Sequence, residues 1–170
     1  VVFVRPVEPS SVEAIAALLQ EMDCFYGATE VEPLDHRVSQ IKEAIFGSPP
    51  AAHVLLAWDD ARLVGLATYS FLWPAIGLTR SLYVKELYVA EAYRRKGVGK
   101  LLMQSIIELA AKHKCSRVEW TTDDDNVNAQ RFYDMLELRK HPSKVFYRLE
   151  GRLLLQARTP ARGGSEQGGL

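Results

Sequence analysis

The feature that most constrains this chain is a basic, glycine-bearing turn between an apolar strand and an apolar helix. Leu87-Tyr88-Val89 closes a strand-like run that begins at Ser81. Arg94-Arg95-Lys96-Gly97-Val98-Gly99-Lys100 follows. It opens a stretch in which Val98, Leu102, Ile106 and Leu109 recur at helical spacing, predicting a helix from Gly97 to Lys114. The glycines let the chain turn tightly and expose successive backbone N–H groups. The helix start adds unpaired donors and the positive end of its dipole. Arg94, Arg95, Lys96 and Lys100 place positive charge around the same opening, and together these groups suit a diphosphate. Two other phosphate patterns fail. A P-loop requires Gly at 94 and Ser or Thr at 101, where Arg94 and Leu101 stand. A dinucleotide fingerprint starting at Gly97 meets Leu102 in place of its third glycine.

The chain around this turn reads as mixed α/β. Val1 to Arg5 is a short strand, and Ser10 or Ser11 can cap a helix carrying Ile15, Leu18, Leu19 and Met22. A second helix presents Val38, Ile41 and Ile45, and Gly47 and Pro49-Pro50 end it. His53 to Trp58 and Arg62 to Phe71 form a hairpin around Asp59-Asp60-Ala61. After the helix at Gly97, the pattern predicts a strand from Arg117 to Thr122. A helix from Asn126 to Leu136 and a last strand from Val145 to Leu149 follow. The order β-α-α-β-β-β-α-β-α-β implies a largely antiparallel first half. Length predicts one domain over 1–150, with 151–170, which holds five of the eleven glycines, as a flexible tail.

Composition excludes several classes. Apolar residues make up 48% and charged residues 25%, which is ordinary globular usage. No apolar run reaches the roughly 18 residues of a spanning helix, so no membrane association is expected. Cys24 and Cys115 form no disulfide framework or metal pattern; a reducing, cytoplasmic setting and buried or inert thiols are expected. His36, His53, His113 and His141 lack ligand spacing, so no metal is expected, and Asp123-Asp124-Asp125 reads as a solvated loop before a helix. Formal net charge is zero, which disfavours nucleic acid as a partner. The zero is divided, however: residues 1–61 carry ten acids against three bases, and residues 62–150 carry ten acids against fifteen bases. An acidic front half and a basic back half suggest two ligands of opposite charge.

What remains of the turn is Arg-x-x-Gly-x-Gly between a strand and a helix. This resembles the acetyl-CoA signature of the GCN5-related N-acetyltransferases, the GNAT family. Asn126-Val127-Asn128-Ala129-Gln130-Arg131-Phe132-Tyr133 matches the N-x-x-A-x-x-F-Y helix of the same family, in order and at a fitting distance. The stretch from Ala67 to Val89 is most similar to the spermidine/spermine and thialysine acetyltransferases. The polyamine enzymes carry an acidic pair on the central strand, where this chain has Lys85-Glu86. The resemblance implies a central, mostly antiparallel sheet with a splayed strand pair, flanked by about four helices.

The resemblance also implies site residues. Leu87, Tyr88 and Val89 would offer backbone N–H groups to the pantetheine arm and the carbonyl. Arg94, Arg95, Lys96, Gly97, Val98, Gly99 and Lys100 would hold the diphosphate, and Asn126 and Ala129 would complete the acetyl-CoA site. Glu86 is the candidate general base and Tyr133 the candidate general acid; no metal is required. Asp23, Phe25, Tyr26, Phe71, Trp73 and Glu86 are the candidate substrate contacts, because carboxylates with aromatics suit an alkylammonium group. The implied reaction is acetyl transfer to a primary amine of a small cationic substrate: a diamine, a lysine-like amino acid or an amine-bearing antibiotic. Protein or peptide acetylation, and a non-catalytic acetyl-CoA sensor, stay open as alternatives. A homodimer is expected from the polyamine-type relatives.

Overall fold

The computed structural model describes residues 1–158. In chain order the elements are β1 (Val2–Pro6), α1 (Val12–Phe25), α2 (Leu34–Phe46), β2 (His53–Asp59) and β3 (Arg62–Leu72). Then come β4 (Ser81–Val89), α3 (Val98–Lys112), β5 (Arg117–Trp120), α4 (Val127–Met135) and a short α5 (Arg152–Ala157). The described residues divide into two compact units, Val1–Phe132 and a second that begins at Tyr133.

The first unit is a five-stranded sheet in the order β1-β2-β3-β4-β5. The first three pairings are antiparallel, and β4 with β5 is parallel. A parallel neighbour needs a long crossover, and α3 supplies it. Helices cover both faces. Val98, Leu102, Ile106 and Ala110 recur every four residues along α3 and pack on Leu55, Ala57, Ala67, Leu82 and Val84. Ile15 and Leu18 of α1 pack on the other face, against Val54, Leu56, Leu66 and Tyr88. Leu102 and Ile106 are wholly buried, which stabilises the α3 contact by about 1.5–3 kcal/mol each.

The second helix has no fully buried residue. Ile41 and Ile45 lean on the α1-side core, and Arg37 ties α2 to α1. Its Nη1 donates to Asp23 Oδ2 at 3.2 Å and its Nη2 to the Ala16 carbonyl at 3.1 Å.

Three expectations are corrected. No serine side chain caps α1; a 3-10 turn over Pro9–Ser11 leads into it instead. The strand expected from Val145 to Leu149 does not form, and Val145, Phe146, Tyr147 and Leu149 stand exposed. Val, Phe and Tyr favour strands, but a strand exists only where a neighbour completes its hydrogen bonds. Arg152–Ala157 forms the short α5, and 159–170 lie outside the described residues. Cys24 is exposed rather than buried, and Cys115 is half-buried.

Candidate active site

The site is built on β4, and a single extra residue in that strand decides its geometry. Tyr69 pairs with Val84 but Thr68 pairs with Glu86, so Lys85 is bulged out of the ladder. Side chains alternate along a strand, and one inserted residue swaps the faces beyond it. Leu82 and Val84, before the bulge, join the α3-side core. Beyond it, Leu87 and Val89 face α3, while Tyr88 joins the α1-side core. Glu86 shares the face of Tyr88 and is thereby turned toward the end of α1.

The same strand has an open edge. β5 pairs only with Ser81 to Val84, and β4 runs on to Val89. Among the described residues, Lys85 to Val89 therefore have a strand neighbour on the β3 side alone. The Leu87 N–H is engaged by the Glu86 carboxylate and the Val89 carbonyl by Arg94 Nε, and the other outward-facing backbone groups of this edge are available to an extended ligand. The splayed strand pair expected from the sequence is this divergence.

Glu86 is half-buried, and burial raises its carboxyl pKa above the ordinary glutamate range. The Leu87 N–H and the Lys85 charge oppose that rise, while Asp123 and Asp23 add to it. Tyr26 feels the same group: burial pushes its phenol up, and the Glu86 charge pushes it further. Asp123, in the loop that the sequence predicts to be solvated, acts on this site. Its charge reaches both Glu86 and Tyr26, and this convergence of α1, β4 and the loop before α4 has no local sequence signal.

Beyond Val89 the chain turns through Arg94 to Gly99. Arg95 and Gly97 both adopt the left-handed conformation, with φ of 61° and 85°, which folds the turn tightly before α3 starts at Val98. Gly99 is a point of close approach. A Cβ there would lie 3.2 Å from Phe132 Cζ, so the second motif packs directly on the first. Asn126 caps α4, its Oδ1 accepting from the Ala129 N–H at 3.1 Å. Arg95, Lys96 and Lys100 are exposed around the turn. Arg94 is engaged within the fold: its Nε donates to the Val89 carbonyl at 3.1 Å and its Nη2 to the Tyr88 hydroxyl at 3.2 Å. That hydroxyl donates to Glu21 Oε1 at 3.0 Å, and burial with this bond raises the Tyr88 phenol pKa to about 12. Glu21 is a further residue that the sequence did not single out.

The candidate substrate contacts divide. Asp23, Tyr26, Glu30 and Glu32 line a groove of about 680 Å³ between α1, α2 and their connection. Phe25 stacks beneath the Arg94 guanidinium, 4.0 Å from its ring centroid. Phe71 is not brought to Glu86; it lies on the α3 face, between His53 and His113. Trp73 lies at the far end of the β3–β4 hairpin, its Nε1 donating to the Leu78 carbonyl at 3.0 Å. Tyr133 is on α4 directly after Phe132, and it is the first residue of the second unit. Among the described residues, no group of three or more His, Cys, Asp or Glu is placed to hold a metal ion. No helix of these residues is long and apolar enough to cross a membrane.

The fold and the site define an acetyltransferase scaffold, and comparison with known proteins agrees. The acetyltransferase (GNAT) family model matches residues 15–136, and the chain belongs to that family of N-acetyltransferases. It is 32% identical over 96 residues to an L-ornithine N5-acetyltransferase of Arabidopsis thaliana. That match covers 56% of this chain and 42% of the plant protein. It is 25% identical over 166 residues to the thialysine N-epsilon-acetyltransferase of Mus musculus, covering 89% and 94% of the two chains. An integron cassette protein from the mobile metagenome of V. cholerae superposes with a TM-score of 0.85 at 26% identity, covering 93% of this chain and 98% of that one.

Proposed function

We propose that this chain transfers an acetyl group from acetyl-CoA to a primary amine of a small cationic acceptor. The observation that carries the reading is the course of β4. Its open edge begins beside Glu86, and a 3-10 turn over Glu91–Tyr93 joins the end of the strand to the Arg94–Gly99 turn.

The residues present fit the cosubstrate. The open edge matches an extended amide-bearing arm, and the turn presents N–H groups at the start of α3, with Arg95, Lys96 and Lys100 around it. Arg94 supports this turn from behind through its bonds to Val89 and Tyr88. The amide nitrogen of Asn126 complements a pantetheine carbonyl, since its oxygen is used in the α4 cap. When bound, acetyl-CoA supplies an acyl group activated as a thioester.

The chain's own residues handle protons and charge. An ammonium has no lone pair, so the acceptor must lose a proton before it attacks. Glu86 takes that proton, and its raised pKa makes it a better base than an exposed glutamate. Tyr133 is the proposed donor of a proton to the departing sulfur. Glu30, Glu32 and Tyr26, with Asp23 partly neutralised by its ion pair to Arg37 in the same groove, form an acidic, partly aromatic wall that favours a cationic acceptor. Names among the relatives support this class: they are enzymes of L-ornithine, thialysine and, at 28% identity over 119 residues in Serratia marcescens, aminoglycosides. The reading includes a homodimer in the cytoplasm, which light scattering and cell fractionation check.

The test is thiol release from acetyl-CoA with L-ornithine, thialysine, spermidine and an aminoglycoside in turn. Turnover on at least one, and none on an uncharged amide analogue, is expected. Tight CoA binding without turnover on any amine would replace the enzyme by a sensor.

A further inference from the structure

We propose that Phe25 and Glu21 are positioning residues that couple occupancy of the Arg94–Gly99 turn to the shape of the acceptor site. The proposal rests on the reading of that turn as the CoA site. Glu21 and Phe25 lie four residues apart on the last turns of α1, hence on one helix face. Both reach the connection that follows β4. Glu21 Oε1 accepts from the Tyr88 hydroxyl at 3.0 Å and from the Glu91 N–H at 2.9 Å. The Phe25 ring receives the Arg94 guanidinium at 4.0 Å. Arg94 in turn donates to the Tyr88 hydroxyl and to the Val89 carbonyl. The end of α1 and the segment from Tyr88 to Arg94 are thus joined at several points.

The Phe25 ring is 55% exposed, so its contribution is not core packing. Its partner is the cation that precedes the turn. The same ring meets Tyr26 edge-on at 5.3 Å, and the Tyr26 phenol lies within the field of the Glu86 charge. A diphosphate drawn onto the N–H groups from Arg95 onward fixes the adjacent guanidinium. The guanidinium fixes Phe25, and Phe25 fixes the Tyr26 that borders the acceptor groove. Coupling of this kind is reciprocal: an acceptor held at Tyr26 strengthens cofactor binding by the same factor.

Amide hydrogen exchange on the full chain, with and without CoA, tests this. CoA is expected to slow exchange in residues 90–99 and, at least threefold, in residues 22–28. In Phe25→Leu the slowing at 90–99 is expected to persist and that at 22–28 to disappear, with Tm nearly unchanged. Phe25→Tyr, which keeps the aromatic face, is expected to restore it. Slowing at 90–99 alone in the wild type would overturn the coupling and leave the cofactor reading intact. Slowing at 22–28 that survives in Phe25→Leu would overturn the role of Phe25, and slowing that survives in Phe25→Leu combined with Glu21→Gln would overturn the coupling, since the Glu21 bonds would then be removed as well. No slowing at 90–99 would remove the cofactor reading and the coupling together.

Discussion

At the scale of single residues, Lys85 and Glu86 act as a pair whose members do different things. Lys85 takes the bulge, and the bulge turns Glu86 toward α1. The Lys85 charge also opposes the rise in the Glu86 pKa. Lys85→Gln is therefore expected to move the acid limb of kcat/KM to higher pH, and added salt should shrink the difference from wild type. A pH profile measured at two ionic strengths checks this. Glu86 has a folded-state pKa above its unfolded value, so folding takes up a proton between the two. Stability then falls as pH rises through that window, and the penalty is fully present above it. Glu86→Gln is expected to raise the denaturation midpoint at pH 7, with the gain vanishing below the ordinary carboxylate range. Equal midpoints at pH 7 would show that burial imposes no such penalty.

At the scale of elements, the end of α1 and the end of β4 hold each other through Tyr88. Its hydroxyl both donates to Glu21 and accepts from Arg94. Tyr88→Phe leaves the ring in the core and removes these bonds, so chemical denaturation should show a loss of about 1–2 kcal/mol. Tyr88 was singled out in the sequence, but Glu21 and the contact between them were not visible there. Glu21 and Tyr88 are 67 residues apart, and only the fold brings them together. The turn at Gly97 was legible because it is local: glycine, basic residues and the helical stripe all fall within one short stretch. The bounds of β4 were legible for the same reason. The bulge at Lys85 was not, because it is a relation between two strands rather than a property of one. The segment from Val145 to Leu149 shows the reverse failure. Its composition favours a strand, but pairing decides whether one forms, and none forms there.

At the scale of the whole molecule, the divided charge of the sequence has a spatial counterpart. Asp23, Glu30 and Glu32 of the acidic half line the groove beside α1 and α2. Arg95, Lys96 and Lys100 of the basic half surround the turn. The division is incomplete, since Asp123 belongs to the basic half and still acts on Glu86. Charge far apart in sequence was therefore a guide to regions, not to partners. The proposed acid Tyr133 opens the second unit, on the same helix that packs Phe132 against Gly99. Tyr133→Phe is expected to lower kcat about tenfold or more while calorimetry finds CoA affinity unchanged. An unchanged kcat would remove Tyr133 from that role.

The most direct test of the site on β4 is the kinetics of Glu86→Gln on an amine that the wild type acetylates. The side chain keeps its size and loses the ability to take a proton. A fall in kcat/KM of about 100-fold or more is expected, with CoA affinity within about twofold of wild type. An unchanged kcat/KM would contradict the assignment of Glu86 as the base and of the bulged segment of β4 as the place of reaction.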